Sequence, residues 1–160
     1  MRLPLLALAI PATLIAAQAQ ASEDSQHWET LNVTVNLPDN FKLNSETIAR
    51  TGDARGFYEI EQNFMAGKKL NKTVTVWLGY TFNPTYNHGD FRAREHRFRQ
   101  QVSFDNVAQI GKVKLGGRVR TEERWREGQT GTGWRLRPQV KASMPFIGKS
   151  TFSLSHESFI

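Results

Sequence analysis

Apolar and polar residues alternate one by one through residues 73–82, and this alternation constrains the fold more than any other feature of the sequence. Val74, Val76 and Leu78 fall on one face of the segment, and small or polar residues occupy the positions between them. Successive side chains of a β-strand point to opposite faces of the sheet, so a period of two indicates a strand with one apolar face. Residues 31–37 repeat the pattern. The chain is therefore predicted to build strands with two chemically different faces.

The same reading along the chain predicts eight strands in succession and no helix. The predicted strands are residues 28–37, 41–50, 57–65, 73–82, 94–104, 112–126, 134–144 and 150–160. The predicted connections between them include a loop at 83–90 and a turn at 105–111. None has room for the helix that joins parallel strands, so we predict an all-β, antiparallel up-and-down sheet. Sheets of this kind close into barrels to remove their edges.

The alternation alone does not say which face of the barrel is inside. A soluble barrel of the lipocalin type, with a small ligand in the periplasm, has an apolar interior, and a membrane barrel has the reverse arrangement. The predicted strands are close to the ~9 to 11 residues that a tilted strand needs to cross a bilayer. Seven aromatic residues near strand ends fit the interfacial girdles of membrane barrels. They are Tyr80, Phe82, Phe91, Phe104, Trp125, Trp134 and Phe146.

The polar face favours the membrane arrangement, because it carries arginine interspersed with glutamate. Narrow barrels fill their interiors with such pairs, since the planar guanidinium group satisfies several acceptors in a confined space. We therefore predict a transmembrane-type barrel with an interior charge network. The predicted members are Glu95, Arg97, Arg99, Arg118, Arg120, Glu122, Arg124, Arg135 and Arg137.

The first 21 residues have the organisation of a secretory signal peptide. Arg2 precedes an apolar stretch at residues 3–17, and small residues then alternate with glutamine up to Ala21. This spacing predicts cleavage after Ala21 and leaves residues 22–160 as one exported domain. A membrane anchor needs ~20 uninterrupted apolar residues, and this stretch is shorter and broken by prolines. The predicted destination is the outer membrane.

Composition narrows the possible chemistry. Cysteine is absent, which excludes disulfides, thiol nucleophiles and cysteine metal sites. The excess of 21 basic over 15 acidic residues is compatible with a nucleic-acid partner. However, the arginines alternate with apolar residues and share their face with glutamates, so charge pairing is the simpler interpretation and no nucleic-acid partner is predicted. The histidines lack ligand spacing, and we predict no metal or other cofactor.

Several short motifs, taken in order, resemble one bacterial family. They are Leu78-Gly79-Tyr80, Glu95-His96-Arg97 with Gln100-Gln101, Arg118-x-Arg120-x-Glu122-x-Arg124, and Arg135-x-Arg137. In this order they resemble the family called domain of unknown function 2490. The resemblance implies an outer-membrane barrel of unknown activity, structural or transport-like, without assigned catalytic residues. It also implies that further strands follow Ile160, in a barrel of about ten strands. The expected partners are outer-membrane lipid and the barrel-assembly machinery.

One pair of residues offers an alternative with catalysis. His156 and Ser158 share a face of the last predicted strand, which is similar to outer-membrane lipid A deacylases, where a histidine activates a serine for attack on an ester. The neighbouring Glu157 points to the other face, so the carboxylate that orients the histidine in a triad is missing. We therefore predict that the chain is not an enzyme. A lipid-modifying hydrolase remains the alternative, alongside the soluble periplasmic barrel.

Overall fold

The structure is a computed structural model that describes residues 25–148 and 150–160. Eight strands follow one another and form one sheet in the order of the sequence. The strands are β1 (Gln26–Asn36), β2 (Phe41–Gly52), β3 (Gly56–Lys69), β4 (Val74–Asn87), β5 (Asp90–Ile110), β6 (Val113–Arg126), β7 (Gly133–Pro145) and β8 (Thr151–Glu157). The prediction of about eight antiparallel strands is confirmed. The predicted signal peptide lies outside the described residues.

The sheet curls into a half-barrel with β1 and β8 at its two edges. Each strand is antiparallel to its neighbours in sequence, from the pairing of β1 with β2 to the pairing of β7 with β8. The last strand pairing continues beyond β8, because the Ser158 and Ile160 amides donate to the carbonyls of Pro138 and Leu136. No helix among the described residues is long and apolar enough to span a bilayer.

Alternate turns lie at opposite ends of the sheet, because neighbouring strands run in opposite directions. One end carries the turns at residues 37–40, 70–73 and 111–112, together with the end of β7 and the start of β8. The other end carries the turns at residues 53–55, 88–89 and 127–132, together with the start of β1 and the end of β8.

The predicted loop at residues 83–90 is wrong, because β4 continues to Asn87. Pro84 lies within the strand opposite Arg94, just before a register shift at Thr85 and Tyr86. Proline is tolerated at such irregularities because a hydrogen bond of the ladder is already interrupted there. The connection that remains is His88-Gly89, both with positive φ. Two such residues form the tight turn that matches the twist of a hairpin.

The predicted turn at residues 105–111 is also wrong, because β5 runs on to Ile110. Asp105 and Asn106 read as turn residues, but they lie in a bulge where the pairing with β6 shifts between Phe104 and Ala108. Asn106 adopts a positive φ of 52° in this bulge, a conformation that asparagine tolerates better than most residues. The true turn follows at Gly111.

The concave face of the sheet is polar and the convex face is apolar, which is the reverse of the arrangement in a soluble barrel. Tyr58 and Met65 are the hydrophobic residues buried among those described, whereas the buried polar set is much larger. It consists of Glu61, Asn63, Thr75, Thr81, Asn83, Glu95, Arg97, Arg99, Gln101, Arg120 and Glu122. These polar residues lie on the concave face. The convex face carries apolar side chains that remain exposed, such as Leu78 at 57% and Val140 at 65%.

Two glycines shape the concave face beside β4. Gly67 of β3 lies opposite Trp77 of β4, and a Cβ at residue 67 would overlap the indole ring. Gly79 lies opposite Met65, whose Cγ would be 2.6 Å from a Cβ at residue 79. A large side chain therefore covers a glycine in each pair, which lets the two strands pack closely where the sheet curves.

Candidate functional site

The concave face holds a network of ion pairs that links β3, β5, β6, β7 and β8 and extends to Arg50 of β2. The register produces it, since positions separated by two along each strand share a face and pair with equivalent positions on the next strand. Asn63 of β3 pairs with Thr81 of β4, and Thr81 pairs with Arg97 of β5. Arg99, two residues further along β5, pairs with Glu122 of β6. The polar residues of separate strands therefore meet on one surface.

Glu122 is the centre of the network and is completely buried. Its Oε1 lies 3.1 Å from Arg99 Nε and 3.2 Å from Arg137 Nη1, and its Oε2 lies 2.5 Å from Arg135 Nη2. Arg120 is more distant, with Nη1 3.9 Å from Oε1. One carboxylate thus faces four guanidinium groups, and the burial of this charge depends on them.

Glu61 is the second centre and connects strands that are not neighbours. Arg97 Nη1 lies 3.1 Å from Glu61 Oε2, and Arg99 Nη2 lies 2.7 Å from Oε1. Both arginines reach across β4 from β5 to β3, where the intervening Thr81 is small. Thr81 itself donates to Asn63 Oδ1 at 2.6 Å, and Asn63 donates to Glu61 at 3.1 Å. The buried polar atoms around Glu61 are therefore held in place by one another.

Two further carboxylates complete the network. Glu95 accepts two hydrogen bonds from Arg124, at 2.8 and 2.9 Å, and also pairs with Arg97 and Arg126. Glu157 of β8 has a different role, because it joins strands six, seven and eight. Its two oxygens lie 3.0 Å from Arg118 Nη2 and 2.7 Å from Arg137 Nη2.

The network carries more positive than negative charge. Its ion pairs involve nine arginines and five glutamates, a difference of four. The arginines are Arg50, Arg97, Arg99, Arg118, Arg120, Arg124, Arg126, Arg135 and Arg137, and the glutamates are Glu59, Glu61, Glu95, Glu122 and Glu157. A surface with this balance attracts anions.

All nine residues predicted from the sequence to form the interior network lie in it. Sequence reasoning missed five members: Arg50, Glu59, Glu61, Arg126 and Glu157. Alternation placed Glu59 and Glu61 on the polar face of their strand. It did not give their partners, which lie as far as 38 residues away in the sequence.

A separate ion pair lies outside the network at the end of the sheet. Glu127 follows β6, and its carboxylate accepts hydrogen bonds from Arg94 Nε at 3.1 Å and Nη2 at 3.3 Å. These hydrogen bonds lower the pKa of Glu127 below its ordinary value of 4.5. Both side chains are exposed, so dissolved salt screens the pair.

His156 and Ser158 lie together on the convex side of β8. Ser158 Oγ is 3.2 Å from His156 Nε2, within hydrogen-bond range. Glu157 points to the concave face, as its contacts with Arg118 and Arg137 require. Among the described residues, no carboxylate forms a hydrogen bond with the His156 ring. The pair therefore has a nucleophile and a base without the group that orients the base.

A cluster of metal-binding side chains would be another sign of a functional site. Within residues 25–148 and 150–160, no three His, Asp or Glu side chains are arranged to bind a metal. The carboxylates of Glu61, Glu95, Glu122 and Glu157 on the concave face are instead engaged by guanidinium groups, which leaves the ion-pair network as the main candidate for a functional surface.

The fold and this surface define a class of protein: an antiparallel half-barrel with an exposed apolar convex face and a charged concave face. The chain belongs to the family described as protein of unknown function, DUF2490, which it matches over residues 25–160. It is also 26% identical over 147 residues to an uncharacterized protein of Methylorubrum extorquens. That match covers 90% of this chain and 63% of the relative, so the chain spans less than two thirds of the relative's length. No solved structure matches the chain significantly.

Proposed function

We propose that this chain forms a β-barrel of the bacterial outer membrane, with a structural or transport-like role served by its charged interior. The observation that carries the proposal is the reversed polarity of the sheet. Glu122 and Arg99 are at most 1% exposed on the concave side, whereas Leu78, Val140 and Leu154 on the convex side are more than half exposed. An exposed apolar face promotes aggregation in water, whereas the lipid-facing surface of a membrane barrel has to be apolar.

The dimensions of the sheet also support a membrane location. Strands β1 to β7 are 11 to 21 residues long, which is enough for a tilted crossing of the hydrocarbon layer. Phe91, Trp134 and Phe146 are exposed and lie next to turns at the two ends of the sheet. Aromatic rings at these heights fit the two interfacial girdles of a membrane barrel. A soluble ligand-binding barrel would instead place its apolar residues inside.

Cell fractionation of the full-length protein tests the location. We expect recovery with the outer membrane and an unheated form that migrates differently from the boiled form on a denaturing gel. Recovery in osmotic-shock fluid without detergent would instead establish the soluble periplasmic alternative and exclude the proposal.

A substitution on the convex face gives a sharper test. Leu78→Arg puts a charge at an exposed position near the middle of β4. On a water-exposed surface this change is nearly neutral, whereas at the bilayer midplane it costs about 2–4 kcal/mol. We expect Leu78→Arg to reduce the heat-modifiable form strongly, and Thr130→Arg in the exposed turn at residues 127–132 to leave it unchanged. Equal behaviour of the two variants would argue against membrane contact at Leu78.

The second candidate function is a lipid-modifying hydrolase, favoured by the 3.2 Å contact between Ser158 and His156 on the convex face. In such an enzyme Ser158 attacks an ester carbonyl while His156 accepts its proton. The test is release of fatty acid from lipid A by the full-length protein. Loss of release in Ser158→Ala and His156→Ala, with activity kept in Ser155→Ala, would establish it. Unchanged lipid A acylation in all three variants would end this candidate.

A further inference from the structure

The lysines that the structure describes are gathered at one end of the sheet, the end that carries the β1–β2 turn. All seven lysines that the structure describes lie in the turns of that end or on adjoining strand residues. They are Lys42, Lys68, Lys69, Lys72, Lys112, Lys114 and Lys141. The carboxylates described in the same segments are Asp39 and Asp105. We call this the lysine end, and its formal charge is 7 − 2 = +5.

The lysines differ from the network arginines in how their charge is neutralised. Each network arginine has a carboxylate oxygen within 4.0 Å, whereas none of the seven described lysines forms an ion pair with a described residue. Lys42, Lys69, Lys114 and Lys141 occupy register positions that face the concave side. The mouth of the concave face at the lysine end is therefore lined by unpaired cations.

A cavity of about 350 Å³ opens on the concave face at this mouth, between β5, β6 and β7. Lys114, Arg118 and Lys141 line it, and they surround Gly116, which lies opposite Lys141 in the register. Gly116 has no side chain, and a Cβ at this position would lie 2.5 Å from the carbonyl oxygen of Phe104, so the glycine lets the bulge of β5 approach β6 at the wall of the cavity. The cavity is large enough for a small anion with several oxygens.

The other lining groups are suited to an oxyanion. Ser103, Ser143 and Gln139 contribute hydroxyl and amide donors. The lining also includes the Asp105 carboxylate, which forms no ion pair with a described residue. Three cations against this one carboxylate give a formal lining charge of +2, although Arg118 shares the Glu157 carboxylate with another arginine.

The next layer of the concave face adds to the positive field. Arg120 is buried and donates to Gln101 Oε1 at 2.8 Å, and Gln101 lines the same cavity. The nearest carboxylate to Arg120 is Glu122 at 3.9 Å, which three other guanidinium groups approach more closely. Carboxylates thus become fewer than cations toward the lysine end, and a bound anion would neutralise part of the excess positive charge there.

We propose that the cavity between Lys114, Arg118 and Lys141 is a binding site for a phosphate-type oxyanion. The ammonium groups attract the charge, and Arg118 and the neighbouring hydroxyls direct hydrogen bonds to the oxygens of the anion. Charged rings of this kind select anions at the mouths of pores. The site deepens the proposed function, since it makes the charged interior an anion-recognising one.

Calorimetric titration of the full-length protein in zwitterionic detergent with inorganic phosphate, at constant ionic strength, tests the site. We expect saturable binding that weakens at least about tenfold in Lys114→Gln/Lys141→Gln, because two of the three charges around the anion are lost. The matched control Lys68→Gln/Lys72→Gln removes two charges from the same end but outside the cavity. We expect it to change the affinity less than about twofold. The conservative Lys141→Arg should retain binding.

Three results would overturn the proposal: absence of saturable phosphate binding, equal weakening by both double variants, or loss of binding in Lys141→Arg with the fold intact. Tryptophan fluorescence and the heat-dependent gel shift report on the fold of each variant. Binding in micelles does not depend on the compartment, so failure of this site is distinguishable from failure of the membrane proposal. Phosphatidylglycerol and phosphatidylcholine added to the micelles identify the source of the phosphate. Displacement of inorganic phosphate by the anionic lipid alone assigns a lipid headgroup, and no displacement by either lipid assigns a soluble phosphate.

Discussion

Glu122→Gln is the substitution that tests most directly whether ion pairs hold the concave face together. It keeps the size of the side chain and one oxygen acceptor, but it removes the charge that Arg99, Arg135 and Arg137 share. At 3.1 Å and an effective dielectric constant of about 20, the pair with Arg99 alone has a Coulomb energy of about 5 kcal/mol. The pairs with Arg135 and Arg137 count for less, because those side chains are 21% and 15% exposed.

The net loss is smaller than the Coulomb energy, since the buried carboxylate no longer has to be desolvated. Removing one partner of a buried ion pair costs about 3–5 kcal/mol, and we expect a loss in this range for Glu122→Gln. The assay is urea unfolding of the full-length protein in lipid vesicles, followed by tryptophan fluorescence. Glu123→Gln is the matched control, because Glu123 is the next residue but faces the convex side, where it accepts one hydrogen bond from Gln100 at 3.0 Å. We expect the control to lose less than about 1.5 kcal/mol.

Equal losses in Glu122→Gln and Glu123→Gln would refute this reasoning. They would mean that the concave ion pairs are as well solvated as a surface pair and contribute little to stability. A double variant separates the two explanations further. In Glu122→Gln/Arg135→Gln, the second change removes one of the cations left unpaired, so part of the lost stability should return.

Three other changes have different expected outcomes. Gly67→Ala forces the Trp77 ring to move, so we expect a shifted emission maximum and a loss of about 1–3 kcal/mol in the same unfolding assay; unchanged fluorescence would contradict the close contact. Arg120→Gln relieves a buried cation without a close carboxylate, so its stability should stay within about 1 kcal/mol of the parent, and a loss above about 3 kcal/mol would contradict this. The lowered pKa of Glu127 adds stability above pH 4.5, and this stability is lost as the carboxylate protonates at lower pH. Glu127→Gln should therefore flatten the acidic part of the curve of unfolding midpoint against pH. An unchanged curve would exclude a contribution from the pair with Arg94.

The face of each side chain was largely predictable from the sequence. Alternation through residues 73–82 correctly separates Leu78 on the convex side from Thr81 on the concave side, since a strand has a fixed period of two. The ends of the strands were less predictable. Pro84 and Asn106 are typical of loops, but in this sheet both lie in or beside bulges that let a strand continue.

The partners within the network were not predictable, because they depend on register and on reach across a strand. Glu61 meets Arg97 and Arg99 although β4 lies between them, and no local pattern contains that contact. The lysine end is a similar case. The lysines are scattered along the sequence, and only the antiparallel order of the strands brings their segments to the same end.

The ion pairs that skip a strand have a mechanical consequence. Glu61 joins β3 to β5 over β4, and Arg118 of β6 reaches Glu157 beyond β7. Backbone hydrogen bonds hold each strand to its neighbour but leave the angle between them soft, whereas these side chains span the inside of the bend. These ion pairs resist flattening of the sheet, because flattening would move the paired groups apart. The curvature of this sheet thus depends on charge as well as on twist, and removing the ion pairs should flatten the sheet before it separates any strands.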